Sequence, residues 1–547
     1  MSVLSHRLKH LIRSTWAQFI GLAVVIAISI ALNIGFNTTL VNLKHSQEVF
    51  YSANNFADHY FYVTRAPEAI IKQIEGINGV SRVTGRIQRD IPILKNNGER
   101  ATVRLTSYPL PLEKDVNKVE IKQGRYFEQY AGGGSFEAMV DPGFYAANQL
   151  SPGSMVDIIA DNHQYPIRIV GAATGPEFAY PMKDAASMLT DFKTFGIMMI
   201  PHNQAQTIFN LPGQMNQVIV QFIPGIDEEK TVASIQKVLK PYGNLADYAR
   251  KDQSSHAVLN AKIDGIKTIA GFLPTLFLGI AAAVQFILIR RMVKAQRGQI
   301  GILKALGYNN LQAMLHFSSY TLVVGILGAL IGIVGGSGLA SFFLNLYAQY
   351  FNLPITTDSI NLEVIIYSIL LAVGVSLLAG LTAARSIISI NPAESMRTAV
   401  PINANHSLLE SWTWLWYRLD TSWKMAFRTM RRNRLRVMVL LLGVVSAVAL
   451  LMLSFIMNDS INYLMNHHFT EEISYDYMLR FEKPVPDSDL REISSIDGVH
   501  QVEGFFAVPV KMHFNGKSTD DLLQGQARSS TLKLPIAENN RSFMIPA

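Results

Sequence analysis

A chain of 547 residues has room for several domains, and its 49% apolar and 16% charged residues make it more hydrophobic than an ordinary soluble protein. Its net charge of +7 carries no nucleic-acid signal by itself, because Lys and Arg beside membrane segments are placed by topology. The absence of cysteine excludes disulfides, thiolate metal sites and cysteine nucleophiles.

Five stretches hold the ~20 apolar residues that crossing a bilayer core requires. They run from Phe19 to Phe36, Ile269 to Ile289, Phe317 to Leu346, Val364 to Ala384 and Val437 to Met457. The first has a long apolar run and reads as a retained anchor rather than a cleaved leader. The predicted map is a cytoplasmic tail and first span over 1–36, then an external domain over 37–266. A second span over 267–290, a cytoplasmic segment over 291–316, and spans over 317–347 and 362–385 follow. A cytoplasmic amphipathic linker over 386–436, a fifth span over 437–457 and a partial second external domain over 458–547 complete it.

Orientation rests on basic flanks, which resist translocation. Arg7, Lys9 and Arg13 precede the first span; Arg290, Arg291, Lys294, Arg297 and Lys304 join the second to the third. Arg428, Arg431, Arg432, Arg434 and Arg436 precede the fifth, whereas the connection after the third carries Asp358 and Glu363. All of these place the amino terminus inside. The five tryptophans, Trp16, Trp412, Trp414, Trp416 and Trp423, fall on the same side, at the level indole rings prefer. The stretch "ESWTWLWYRLDTSWKMAFRTMRRNRLR" reads as an interfacial amphipathic helix.

The chain repeats itself. "QIEGINGVSRVTGR" at 73–86 returns as "EISSIDGVHQVEGF" at 492–505, pairing Ile74 with Ile493, Gly79 with Gly498, Val83 with Val502 and Gly85 with Gly504. "IPI" at 91–93 likewise faces "VPV" at 508–510, and each copy follows a basic flank and a span. Inside the unit, "HYFYVT" predicts a strand, Pro67 the first turn of a helix, and "VSRVTGRIQRDIPI" one returning strand whose proline argues for an edge. The glycines read as turn formers that bind nothing. Residues 139–173 predict a helix and a β-hairpin. The second copy stops near the equivalent of residue 130, so a longer natural protein is expected, with roughly 200 to 250 more residues and three more spans.

Between the second and third spans stands "RRMVKAQRGQIGILKALGYNNLQAMLHF". Ile300, Ile302, Leu303, Leu306 and Leu311 follow helical spacing, and Gly307 sits where a helix would stop. "RGQIGILKALGYNNLQ" resembles the cytoplasmic signature of FtsX-like (MacB-like) ABC transporter permeases, and "AARSIISINPAESMR" at 383–397 resembles the segment that closes the same module. The order of one span, a large external domain and three spans is also the family's. The resemblance implies an α-helical integral membrane protein with α+β extracytoplasmic domains, a span–external domain–three spans module followed by the start of a second copy.

By that resemblance the chain is a permease subunit of the mechanotransmission type in a bacterial inner membrane. Its short cytoplasmic helix docks on a separate ABC ATPase dimer, which binds ATP and Mg; this chain binds no cofactor of its own. On that helix, which also holds Leu303 and has Gln299 where the family usually has Glu, Arg297, Ile300, Gly301, Lys304, Ala305 and Gly307 would line the ATPase contact, and Pro392 and Arg397 would end the fourth span. Membrane lipids and a periplasmic accessory protein are further partners it suggests. Export or extraction of lipid, lipoprotein or peptide is the implied task; a transmembrane signalling scaffold regulating a cell-wall hydrolase is the alternative.

The remaining motifs read as structural. Span three holds Gly325, Gly328, Gly332, Gly335 and Gly336, whose small-xxx-small spacing permits close helix contact, with Gly328, Gly332 and Gly336 on one face. Gln285 and Pro274 read as an interhelical hydrogen bond and a kink. "NGKST" at 515–519 lacks the first glycine of a phosphate loop. His467 and His468 are adjacent and would point ~100° apart on a helix, a poor metal pair. Gly132 to Gly134 read as an external loop. No Asp, Glu, Lys or Arg lies mid-span, which disfavours an ion-gradient transporter.

Overall fold

The computed structural model describes residues 13, 16–95, 98–111, 115–127, 136–160, 163–183, 190–355, 360–388, 412–432, 434–466, 474–479, 481, 485–514, 517–527 and 530–532. They fall into two compact units, Met1–Arg436 and Val437–Ala547.

The first unit opens with α1 (Trp16–Ala53). An α+β domain follows as β1 (His59–Pro67), α2 (Ile70–Glu75), β2 (Val80–Arg86), β3 (Gln88–Leu94), β4 (Arg100–Tyr108) and β5 (Glu120–Gly124). It continues as β6 (Phe136–Val140), α3 (Pro142–Ala147), β7 (Met155–Ala160), β8 (His163–Thr174), β9 (Phe195–Pro201) and α4 (His202–Ile208). β10 (Gln214–Phe222), α5 (Glu228–Leu239) and β11 (Asn244–Ala249) close the domain. The chain then runs through α6 (Ser254–Ala295), α7 (Arg297–Ala305), α8 (Asn310–Tyr350), α9 (Leu362–Ala384), α10 (Thr413–Arg418) and α11 (Thr421–Arg432).

Helices α1, α6, α8 and α9 are long and apolar enough to cross a membrane. The first three have 38, 42 and 41 residues, roughly 60 Å at 1.5 Å per residue and about twice a hydrocarbon core. The expected spans are therefore the apolar parts of longer rods. Past Phe36, α1 continues through buried Thr38, Thr39, Asn42, Ser46 and Gln47, because backbone hydrogen bonding and packing on α6 sustain a helix where hydropathy ends. There Gln47 Nε2 donates to Asn260 Oδ1 at 3.0 Å, a polar tie outside the apolar run.

In the α+β domain, β11-β1-β10-β2 form an antiparallel sheet. Ile70 and Ile74 of α2 and Ile235 and Leu239 of α5 pack on one face of it, against Phe61, Val63 and Val218. The β-α-β…β-α-β order with this strand sequence is the ferredoxin-like arrangement, split by an insertion between β2 and β10. Inserted there, β8-β6-β9-β4-β3-β7 close into a six-stranded barrel, since β7 also pairs with β8, and β5 adds beside β8. Its inward residues alternate along the strands: Ile91 and Ile93, Val103 and Leu105, Val156 and Ile158, Ile167 and Ile169.

Three sequence expectations are corrected. Residues 80–93 are not one strand: β2 belongs to the ferredoxin-like sheet and β3 to the barrel, and the chain crosses at buried Ile87. Its backbone is held by Ser107, with Ile87 N donating to Ser107 Oγ and Ser107 N donating to Ile87 O. Pro92 does not mark an edge, since β3 pairs with β4 throughout and with β7 from Ile93 onward; its missing N–H falls just before the second pairing begins. Pro67 ends β1 instead of starting a helix, and α2 begins only at Ile70.

The second unit holds most of α12 (Arg434–Asn466), then α13 (Asp487–Ser494) and a hairpin of β12 (Phe505–Phe514) with β13 (Lys517–Gln526). Residues Gly443–Ser460 of α12 are long and apolar enough to cross a membrane. The repeat recurs as backbone geometry. After α2, Ile77 N bonds Ile74 O at 3.0 Å and Val80 N bonds Ile77 O at 3.1 Å; after α13, Ile496 N bonds Ile493 O at 3.2 Å and Val499 N bonds Ile496 O at 3.1 Å. Gly79 and Gly498 take φ of 99° and 91°, a region in which a Cβ is strained. Pro92 and Pro509 each sit in the first strand of an antiparallel hairpin. Pro392, Arg397, Gly132 to Gly134, His467, His468, Asn515 and Gly516 lie outside the described residues.

Candidate functional site

The turn between α6 and α8 is built by local chemistry. α6 ends where Gln296 leaves helical geometry at φ −99°, ψ 19°. α7 stops at Ala305, and Gly307 at φ 93° lets Gly307 N reach Lys304 O at 3.1 Å and Tyr308 N reach Leu303 O at 3.1 Å. Asn309 then caps α8: its Oδ1 accepts from Gln312 N at 2.8 Å, while Asn309 N donates to Gln312 Oε1 at 3.1 Å. "GYNNLQ" thus encodes a stop and a restart. The Asn309–Gln312 box escaped the sequence reading, although its N-x-x-Q spacing was visible.

α7 has two faces. Ile300, wholly buried, belongs to the same core as Ile289, Val293, Ala313 and Phe317, and Gly301 is buried beside it. Arg297, Leu303 and Lys304 are half-buried; Lys304 Nζ donates to Ile387 O at 2.7 Å, in the turn that ends α9. A cation there meets the negative end of a helix. Gln299, Ala305 and Gly307 face outward. With them are three aliphatic side chains: Ile302 is 49% exposed, Leu306 72% and Leu311 59%. A buried side chain cannot touch a partner, so the outward face runs through Gln299, Ile302, Ala305 and Leu306 and not through Ile300. Arg290, Arg291 and Lys294 are exposed beside it, and no Asp or Glu stands between Asp264 and Asp358.

Behind this turn the helices are closely fitted. A Cβ on Gly328, Gly332 or Gly336 of α8 would lie 2.7 Å from Ile26, Ile30 or Ile34 of α1, respectively. One on Gly325 would lie 2.6 Å from Ser376 Oγ of α9. Hydrogen bonds cross the bundle too: Gln285 Nε2 of α6 donates to Ser376 Oγ at 3.2 Å, and Asn33 Nδ2 of α1 donates to Ser368 Oγ at 2.8 Å. Pro274 lies inside α6.

One cluster in the α+β domain has the composition of a hydrolase triad. Ser107 Oγ lies 2.7 Å from His202 Nδ1, and His202 Nε2 lies 2.9 Å from Glu68 Oε1. Ser107 is fully buried and already accepts the Ile87 N–H, so no substrate carbonyl can reach it. The trio ties the barrel to the ferredoxin-like sheet; burial lowers the pKa of His202, against the pull of Glu68. Among the described residues no group of His, Asp and Glu is placed to hold a metal ion.

Two family models match. The MacB-like periplasmic core domain matches residues 17–238, and the FtsX-like permease C-terminal domain matches residues 271–392. An uncharacterized ABC transporter permease of Mycoplasma genitalium is 23% identical over 240 residues, 41% of this chain. That match spans 18% of the relative's own length. The extracellular domain of the noncanonic ABC-type transporter YknZ from Gram-positive bacteria is 17% identical, with 35% of this chain and 98% of that one covered, at a TM-score of 0.26. The periplasmic region of MacB from Actinobacillus actinomycetemcomitans is 12% identical, with 39% and 95% covered, at a TM-score of 0.26. One matched model covers α1 and most of the α+β domain, the other more than half of α6 and all of α7, α8 and α9: the chain belongs to the FtsX-like, MacB-like ABC transporter permeases and is a multi-pass membrane protein.

Proposed function

We propose that this chain is a mechanotransmission permease subunit of a bacterial inner membrane, with its amino terminus in the cytoplasm. α7 docks on a separate ABC ATPase dimer, which holds ATP and Mg, and the displacement of that helix moves the extracytoplasmic domain. The task is export or extraction of a hydrophobic substrate such as lipid, lipoprotein or peptide.

The observation that carries this reading is the outward face of α7. Ile302 and Leu306, with Leu311 beyond the turn, expose aliphatic surface in an acid-free, basic segment, where water gives no reason to keep it. An amphipathic helix of this kind buries such a face in a partner's groove. Ile300 in the bundle core and Lys304 on Ile387 hold the helix against the membrane domain, so force applied to it is passed on.

Co-purification with candidate ATPases tests it. Leu306→Asp reduces association at least tenfold while the permease inserts normally. Association unchanged in that variant, and in Ile302→Asp, removes the docking face and the reading with it.

A further inference from the structure

Residues Gly175–Met182, which leave the barrel after β8, are all buried, although they contain only one short turn, Pro176–Phe178. Connecting segments normally run over the surface, and buried backbone demands partners. Here the partners come from the membrane helices. Gln253 Nε2, at the start of α6, donates to Glu177 O at 2.8 Å; Tyr180 N donates to Ser255 Oγ of α6 at 2.8 Å; Asn352 N, just beyond α8, donates to Ala179 O at 2.8 Å. The Tyr180 ring stands 5.5 Å from that of Phe351, in a cluster with Leu43 and Phe50 of α1. One strap thus joins the barrel to the ends of three helices.

Its acidic residue reaches the other way. Both Glu177 carboxylate oxygens accept from Arg86 Nη1 and Nη2 at 2.5 Å, and Arg86 Nε donates to Gln217 Oε1 at 2.5 Å. The two side chains are 1% and 3% exposed. Arg86 ends β2, one residue before the chain crosses into the barrel at Ile87. A bidentate fork fixes direction as well as distance.

We infer that the Gly175–Met182 strap and its Arg86–Glu177 pair form the mechanical joint that holds barrel, ferredoxin-like sheet and helix ends in one orientation, with Arg86 and Glu177 as positioning residues. This assigns the transmission element at the far end of the proposed coupling route and rests on that reading for its role, but not for its measurement.

The cysteine-free sequence makes the test direct. Spin labels at Gln164→Cys, on the exposed start of β8, and at Asp264→Cys, on α6, report the barrel-to-helix distance in the full chain in lipid nanodiscs. The unsubstituted joint gives one narrow distribution. The matched apolar pair Arg86→Met/Glu177→Leu, which can fill the same volume without an unpaired charge, keeps the thermal midpoint but widens the distribution at least twofold. An equal width in that variant means that the pair does not fix the orientation, and overturns the inference. If the double variant does not insert, Glu177→Gln carries the same comparison, with widening expected and equal width again decisive against it. No ATPase takes part, so this result is separate from that of the Leu306 variant.

Discussion

Lys304 Nζ donates a 2.7 Å hydrogen bond to the carbonyl oxygen of Ile387, across 83 residues of sequence. It pins the short helix α7 to the turn that ends α9, so two connections on the same end of the bundle move as one piece. Removing this donor with Lys304→Met costs about 1 kcal/mol, which speeds amide exchange in α7 about fivefold. Hydrogen–deuterium exchange on the full chain measures it, and exchange unchanged in residues 297–305 shows that Ile300 alone holds the helix.

Ile300 and Leu306 lie on one helical stretch yet behave oppositely. Ile300 is wholly buried and Leu306 is 72% exposed. Ile300→Ala leaves a cavity and costs ~2–4 kcal/mol, seen as a lower thermal midpoint in detergent. Leu306→Ala changes stability by no more than about 0.5 kcal/mol and weakens only partner binding. Equal midpoints for the two variants contradict the assigned faces.

Close fit along α8 makes its glycines unequal. Gly332→Leu drives a side chain into Ile30 and the Ala27 carbonyl, whereas a Cβ on Gly338 meets nothing within 4 Å. The first separates α1 from α8 at a cost of ~2–4 kcal/mol; Gly338→Ala is neutral or gains up to about 1 kcal/mol of helix propensity. Yield of folded protein after size-exclusion chromatography ranks them, and comparable losses at both positions refute the ridge.

Asp115 is buried in the α+β domain, and its Oδ2 lacks a hydrogen-bond partner. Burial raises its pKa to about 7, against the opposing pull of Arg86. The unfolded carboxyl titrates near 4, so between those values the folded chain holds the extra proton and stability falls as pH rises through the window. Asp115→Asn therefore stabilises the protein at pH 8, by on the order of 2 kcal/mol after discount for residual solvent, and has little effect at pH 4. Thermal midpoints at the two pH values check the sign.

The sequence by itself determined what depends on near neighbours along the chain. Apolar runs mark where α1, α6, α8, α9 and α12 are greasy enough to cross a membrane. Gly79 and Gly498 mark the same positive-φ turn in both copies, and Gly307 marks the end of α7, because hydropathy, backbone sterics and caps act over a few residues. Helix lengths were less legible, since α1 and α6 continue as polar, packed rods after the apolar signal stops.

Only the tertiary structure decided what depends on groups remote in sequence. A period of 3.6 shows that α7 has faces, but Ile300 is the inward one because Phe317 and Ala313 of the next helix cover it. Val80, Val83, Ile87, Ile91 and Ile93 read as one continuous stretch, yet the chain changes sheets at Ile87 because Ser107 takes both of its backbone groups. Glu177 looks like an ordinary loop acid until Arg86, 91 residues away, closes on it. A chain's pattern states which surfaces need a partner; which residues meet is set by packing, where every contact depends on all the others.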